Sequence, residues 1–132
     1  MNAYEVLVLG PDGPGRASLE EKLRRMGHAV DGGLLGVDGD VASAKLYDVV
    51  VVDAREPDLD WRPLTGTLAP VALHPLLLVT DRPRPLLTAL SGRSGGVMVL
   101  TGAESDRGYQ VALNVCAALR RGGLPQAGPM VA

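Results

Sequence analysis

The chain has 132 residues, a formal net charge of −2, 46 % apolar side chains, 3 % aromatics and no phenylalanine. That is the length of one domain, able to bury a core without metals or disulfides, and Val, Leu and Ala must build it. The charge excludes a general attraction to nucleic acid or acidic membranes; the single Cys116 excludes an internal disulfide and a cysteine-based zinc site.

No apolar run approaches the ~20 residues that span a bilayer. Met1-Asn2-Ala3-Tyr4-Glu5 lacks the basic start of a signal peptide. A soluble, cytoplasmic protein without membrane contact is expected.

In chain order, Glu5-Val6-Leu7-Val8-Leu9 predicts a buried first strand, stopped by the turn chemistry of Gly10-Pro11-Asp12-Gly13-Pro14-Gly15. Leu19, Leu23 and Met26 recur at helical spacing over 16–26, and Gly27 is placed to cap that helix. His28-Ala29-Val30 and Leu34-Leu35 suggest a second strand interrupted by Gly32-Gly33. Asp38-Gly39-Asp40 offers an N-cap to a short helix through Val41, Ala42 and Leu46. Val49-Val50-Val51-Val52-Asp53 follows, four stiff β-branched residues suited to a strand buried on both faces. Pro57 blocks an easy helical continuation.

Leu59, Trp61, Leu64 and Leu68 mark a weak third helix with Pro63, Gly66 and Pro70 in it. Residues 75–80 predict a fourth strand, Pro85 opens a short fourth helix to Ser91, and 97–101 predict a fifth strand. Ser105 or Asp106 caps a last helix to about Arg121, with Tyr109, Ala112, Leu113, Cys116 and Leu119 on one face and Arg120-Arg121 at its C-terminal end. Residues 122–132 are rich in Gly and Pro and read as a flexible tail or linker beyond a domain spanning 1–121.

Five strands alternating with five helices predict an α/β fold, a flavodoxin-like (βα)5 doubly wound parallel sheet of order 2-1-3-4-5. That order brings Gly10 to Asp12, Asp53 and Thr80 to one rim. At the C-terminal ends of the strands such sheets bind ligands.

With these elements in place, residues 4 to 121 resemble the receiver domains of two-component response regulators. Asp53 with Pro57 matches the family's phosphoacceptor strand, and Thr80 matches the hydroxyl that contacts the phosphoryl group. The resemblance also implies two acidic residues after the first strand to hold Mg²⁺, but Gly10-Pro11 stand there, with Asp12 one residue beyond. It implies a lysine ending the fifth strand where Leu100 and Thr101 stand, an aromatic switch residue where Val97 or Met98 stands, and a small residue where Asp81 stands.

Magnesium sites need carboxylates, and phosphoryl transfer is mostly positioning and charge stabilisation. The expectation is therefore a degenerate pseudo-receiver: no enzyme, no cofactor, no bound metal, with Asp53 as phosphoacceptor-equivalent and Gly10, Pro11, Asp12, Thr80, Arg82 and Leu100 around it. Either Arg82 neutralises Asp53, or Arg82 and Arg84 are solvated loop arginines.

The resemblance implies signalling in transcriptional regulation through a homodimer. Its contact surface would be 85–91, 97–101 and 105–121, the fourth helix, fifth strand and last helix. An output domain, such as a DNA-binding one, would follow residue 121, while this domain itself touches no nucleic acid. Two alternatives stand beside it: a small-molecule sensor using Thr80, Asp53, Asp12 and Arg82, and a phosphorylatable receiver using Asp12 or an arginine in a variant mechanism.

Other features take plainer readings. The glycine loop is not G-x-G-x-x-G, and Pro11 and Pro14 remove N–H donors, so a dinucleotide site with Asp31 on a ribose is a minority reading. His28 and His74 have no second ligand at metal spacing. Cys116 is a small buried hydrophobe. Ser18, Ser43, Ser91 and Thr80 lack a histidine partner for a hydrolase triad.

Overall fold

A computed structural model describes residues 3–34, 47–55, 68, 74–82, 84, 87–88, 90 and 96–121. Five strands form one parallel sheet: β1 (Glu5–Gly10), β2 (Ala29–Leu34), β3 (Val49–Asp53), β4 (Leu76–Val79) and β5 (Val97–Leu100), in the order β2-β1-β3-β4-β5. Two long helices are described, α1 (Pro14–Arg25) and α2 (Asp106–Arg121). The doubly wound α/β sheet and its flavodoxin-like order are as expected.

The valine strand is central. Val6 pairs with Val49 on one side and Val50 with Leu76 on the other. All four valines have zero exposure. Side chains alternate across a strand, so Val49 and Val51 enter the core beneath α1 and α2 with Leu23, Leu77, Leu113 and Cys116. Val50 and Val52 enter the opposite core with Leu7, Leu9, Leu76, Leu78, Leu68 and Leu90. A strand buried on both sides reads as a continuous apolar run for this reason.

The first helix begins at Pro14, two residues before the expected start at residue 16, because proline suits the first helical position. It ends in a Schellman pair: the Gly27 N–H donates to Arg24 O at 2.9 Å and the His28 N–H to Leu23 O at 3.2 Å, with Gly27 at φ +100°. The second helix is capped by Ser105, whose Oγ accepts the Gly108 N–H at 3.3 Å. Tyr109, Ala112, Leu113 and Cys116 are buried as the spacing predicts, but Ala117 completes the stripe and Leu119 is only half-buried.

One expectation fails in β2. The strand is continuous through Gly32-Gly33, pairing Gly32 with Val8 and Gly33 with Leu9. The glycines are accommodated rather than disruptive. A Cβ on Gly32 would lie 2.7 Å from the Glu20 side-chain carboxyl carbon, and the Gly33 carbonyl accepts an Arg16 N–H at 2.8 Å. Glycine thus makes room for an Arg16–Glu20 ion pair of 3.0 Å laid across the strand.

The predicted helix over 38–46, Pro57, Leu59, Trp61, Leu64, most of 85–91 and the 122–132 tail lie outside the described residues. Arg84, Leu87 and Thr88 are helical, and Leu68 and Leu90 are buried. Among the described residues no helix is long and apolar enough to cross a membrane.

Candidate functional site

The C-terminal ends of β1 and β3 bring part of the expected rim together, Gly10 beside Asp53. Asp53 ends β3 with its side chain 6 % exposed. Gly10 ends β1 immediately beside it: a Cβ there would meet Asp53 Cβ at 3.1 Å and Asp53 O at 3.3 Å. The position where the resemblance implies a carboxylate is tight against Asp53, which would have to give by a few tenths of an ångström to admit a side chain.

The cation beside Asp53 is Arg55. Its Nε–H donates to Oδ1 at 2.8 Å and its Nη2–H to Oδ2 at 2.9 Å, a bidentate pair, while the Arg55 backbone N–H reaches Oδ1 at 3.3 Å. Nη2 also donates to the Gly15 carbonyl at 3.0 Å, in the first turn of α1. The Asp53 hydrogen bonds push the Arg55 pKa above its ordinary value, against a smaller effect of burial.

Arg82 does not neutralise Asp53. It is exposed, and its backbone N–H donates to Thr80 Oγ1 at 3.1 Å in a local turn. Arg55 was the better candidate on strand geometry. Residues i and i+2 of extended chain share a face, and that signal is present in Asp53-Ala54-Arg55.

Thr80 is 1 % exposed, with its backbone N–H on Leu100 O at 2.8 Å. Leu100 packs into the core with Val79 and Tyr109 rather than lining an open site. Asp12 has an 85 % exposed side chain and stands 3.6 Å from Arg16 Nη2. Arg16, which the spacing did not single out, braces the rim. It touches Gly33 O, Glu20 and, at 3.4 Å, Gly10 O.

The loop after β5 closes the site. Glu104 accepts from Thr101 N–H at 2.9 Å, Thr101 Oγ1 at 3.0 Å and Gly102 N–H at 2.9 Å. Slight burial pushes its pKa up, but these donors hold it below its ordinary value. Gly102, at φ +100°, lies under Arg55: a Cβ there would be 3.0 Å from Arg55 Cδ.

A cleft of about 520 Å³ opens between this rim and the glycine loop. Pro11, Asp12, Gly13, Pro14, Gly15, Arg16, Asp53 and Arg55 line it, and Thr80 and Arg82 do not appear among its walls. Its size suits a small ligand. It does not suit Mg²⁺. Both Asp53 oxygens accept from Arg55, Gly10 and Pro11 bring no side-chain oxygen, and Asp12 faces Arg16. No group of three His, Cys, Asp or Glu among the described residues could hold a metal.

His28 is buried and stacks on Tyr4, with 5.6 Å between ring centroids. Its Nδ1 accepts the Tyr4 N–H at 3.0 Å, leaving Nε2 to donate to Gln110 Oε1 at 2.9 Å. His74 is half-buried at the start of the β4 segment.

No model of a known protein family matches the sequence, and no curated protein does. Solved structures do match in shape. The signal receiver domain of the putative response regulator NarL from Mycobacterium tuberculosis is 23 % identical, with a TM-score of 0.60, and the match covers 89 % of this chain and 98 % of that one. The fold is that of receiver domains.

The receiver domain of sensor histidine kinase PA1611 from Pseudomonas aeruginosa, with a magnesium ion in its active site cleft, matches at TM-score 0.59 and 16 % identity over 89 % of this chain and 99 % of that one. The E. coli RcsC C-terminus, containing a linker region and a phosphoreceiver domain, matches at 0.66 and 18 % identity. The match covers 92 % of this chain and 49 % of that RcsC fragment. These likenesses agree with the strand order.

Proposed function

We propose that the chain is a receiver-type signalling domain that works through protein contacts, without Mg²⁺-dependent phosphorylation of Asp53. The observation that carries this reading is the bidentate Arg55–Asp53 pair. An acceptor aspartate must present a free carboxylate oxygen to phosphorus beside a cation that shields the incoming charge. Here both oxygens accept from one guanidinium, and Gly10 and Leu100 supply neither metal ligand nor lysine.

The output of such a domain is a surface. Val111 and Val115 are 52 % and 42 % exposed on α2, one turn apart, and Leu87 is 40 % exposed. Exposed apolar side chains one turn apart on a helix suit a second copy of the chain. The reading is a homodimer in transcriptional regulation, joined through residues beyond 121 to an output domain.

A second reading rests on the cleft. A small molecule entering between Asp12, Arg16 and Arg55 would replace phosphate as the input, with Asp53 held in reserve by Arg55.

Incubation with a small-molecule phosphodonor and Mg²⁺, followed by intact mass spectrometry, tests the first reading. No adduct is expected. An adduct that forms on the wild type and is absent from Asp53→Ala overturns it and leaves a variant phosphorylatable receiver. Sedimentation as a monomer at high concentration removes the dimer. Thermal-shift screening addresses the cleft, since a ligand that binds the native state raises stability by mass action.

A further inference from the structure

We propose that Arg55 carries the charge state of Asp53 to the start of α2, so that the rim and the helix surface are coupled through one side chain. The geometry gives Arg55 three attachments on three segments. It grips Asp53 at the end of β3, donates to Gly15 O in the first turn of α1, and lies on Gly102 in the β5–α2 loop.

One of those seats is a glycine that admits the side chain: a Cβ on Gly102 would be 3.0 Å from Arg55 Cδ and 3.3 Å from Nη1. The guanidinium is therefore a strap across the sheet end rather than a local counter-ion.

From Gly102 the connection runs on without a gap. The Gly102 N–H is bound by Glu104 Oε1, Glu104 also holds Thr101, and the next residue, Ser105, caps α2. On the far side Lys22 pairs with Asp106 at 2.9 Å and sits 4.9 Å from the Tyr109 ring centroid, pinning the same helical turn to α1. Coupling needs an element with two arrangements that both ends bias. Arg55 either lies on Gly102 while Asp53 is charged, or leaves it when Asp53 loses its charge or its place.

The inference rests on the Asp53–Arg55 pair of the proposed function but not on whether Asp53 takes phosphate. A phosphate adduct would end that reading and leave this one standing. Backbone amide spectra of the full chain, labelled with ¹⁵N, test it directly.

In Asp53→Asn, which keeps the shape and removes the charge, the amides of Gly15 and of Gly102 to Asp106 should move along with those of Ala54 and Arg55. In the Arg55→Gln background the same Asp53→Asn change should no longer move Gly102 to Asp106. Movement of those amides that persists undiminished without Arg55 overturns the proposal, and so does movement confined to residues 53–55.

If Arg55→Gln does not fold, Gly102→Ala replaces it. Crowding from the loop side should then shift the Arg55 Nε–H resonance that Asp53 holds, and an unmoved Nε–H resonance overturns the proposal equally.

Discussion

Arg55, two residues beyond the end of β3, reaches back to Asp53 and donates to both carboxylate oxygens at 2.8 and 2.9 Å. The carboxylate is almost wholly buried, while a third of the arginine side chain remains in contact with solvent. The asymmetry decides which deletion hurts more. Breaking a fully buried pair by removing one partner costs about 3–5 kcal/mol, and partial exposure of Arg55 scales that to about 2–3 kcal/mol for Arg55→Gln. Asp53→Asn strands only an arginine that can reach water, and should cost about 1 kcal/mol. Urea denaturation of both variants and the double variant should give a total smaller than the sum. Strict additivity would show that the two side chains do not interact energetically.

Gly102 and Gly27 share φ +100° but not their surroundings. A Cβ on Gly27 meets nothing within 4 Å, whereas one on Gly102 meets Arg55. Gly27→Ala should therefore cost about 1 kcal/mol from backbone strain alone. Gly102→Ala should cost about 2 kcal/mol, the excess reflecting a displaced Arg55. Equal losses by denaturant titration would mean that Arg55 yields freely and that its seat on Gly102 carries no energy.

The sheet was legible because buried parallel strands announce themselves as apolar runs, and the Val49–Asp53 strand is the extreme case. Its position at the centre followed from the alternation of elements, and Asp53 at the rim followed from that position. The sequence leaves open whether Arg82 neutralises Asp53 or is a solvated loop arginine, because Arg55, Arg82 and Arg84 are all near in sequence to a strand end. Side-chain direction, which follows from strand parity and from the Thr80 turn, separates them. The unbroken run of β2 through Gly32-Gly33 was hidden because its reason lies on α1, where Glu20 and Arg16 occupy the space that the glycines leave. The buried His28 was no more legible, since its partners come from residues 24 positions earlier and 82 positions later.

That histidine belongs to a polar network joining three segments. Tyr4 Oη donates to Asn114 Oδ1 at 2.7 Å, Gln110 Nε2 donates to the same oxygen at 2.9 Å, and Gln110 Oε1 accepts from His28. The network ties the chain before β1 to half-buried residues of α2. Tyr4→Phe removes one hydrogen bond and should cost about 1 kcal/mol. His28→Leu removes the acceptor of the Tyr4 N–H and the donor to Gln110 together, and should cost about 2 kcal/mol. Amide exchange should quicken at Tyr4 in His28→Leu ahead of global unfolding, and unchanged protection there would mean that the His28 bond does not hold this edge.

The alkaline limit of stability should be shaped by Cys116 and Tyr47, whose pKa values are strongly raised, together with Tyr109, which burial also pushes up. Burial pushes the Cys116 thiol up from 9.0 to about 11. The hydrogen bond to Asp31, with some burial and the charges of Asp31 and Glu5, pushes Tyr47 up from 10.0 to about 12. Both are neutral when protonated and both pKa values are raised in the folded chain. Their contribution is therefore complete below the unfolded values and is lost as pH rises through the folded ones. Stability should fall first between pH 9.0 and about 11 through Cys116 and then between 10.0 and about 12 through Tyr47. Tyr47 is the more solvated of the two, so its share should be the smaller. Cys116→Ala should remove the lower part of the decline in urea titrations at stepped pH, and Tyr47→Phe the upper part. A thiol reagent should label Cys116 only at the rate of opening, and rapid labelling of the native chain would place the thiol nearer to water than the core of α2 allows.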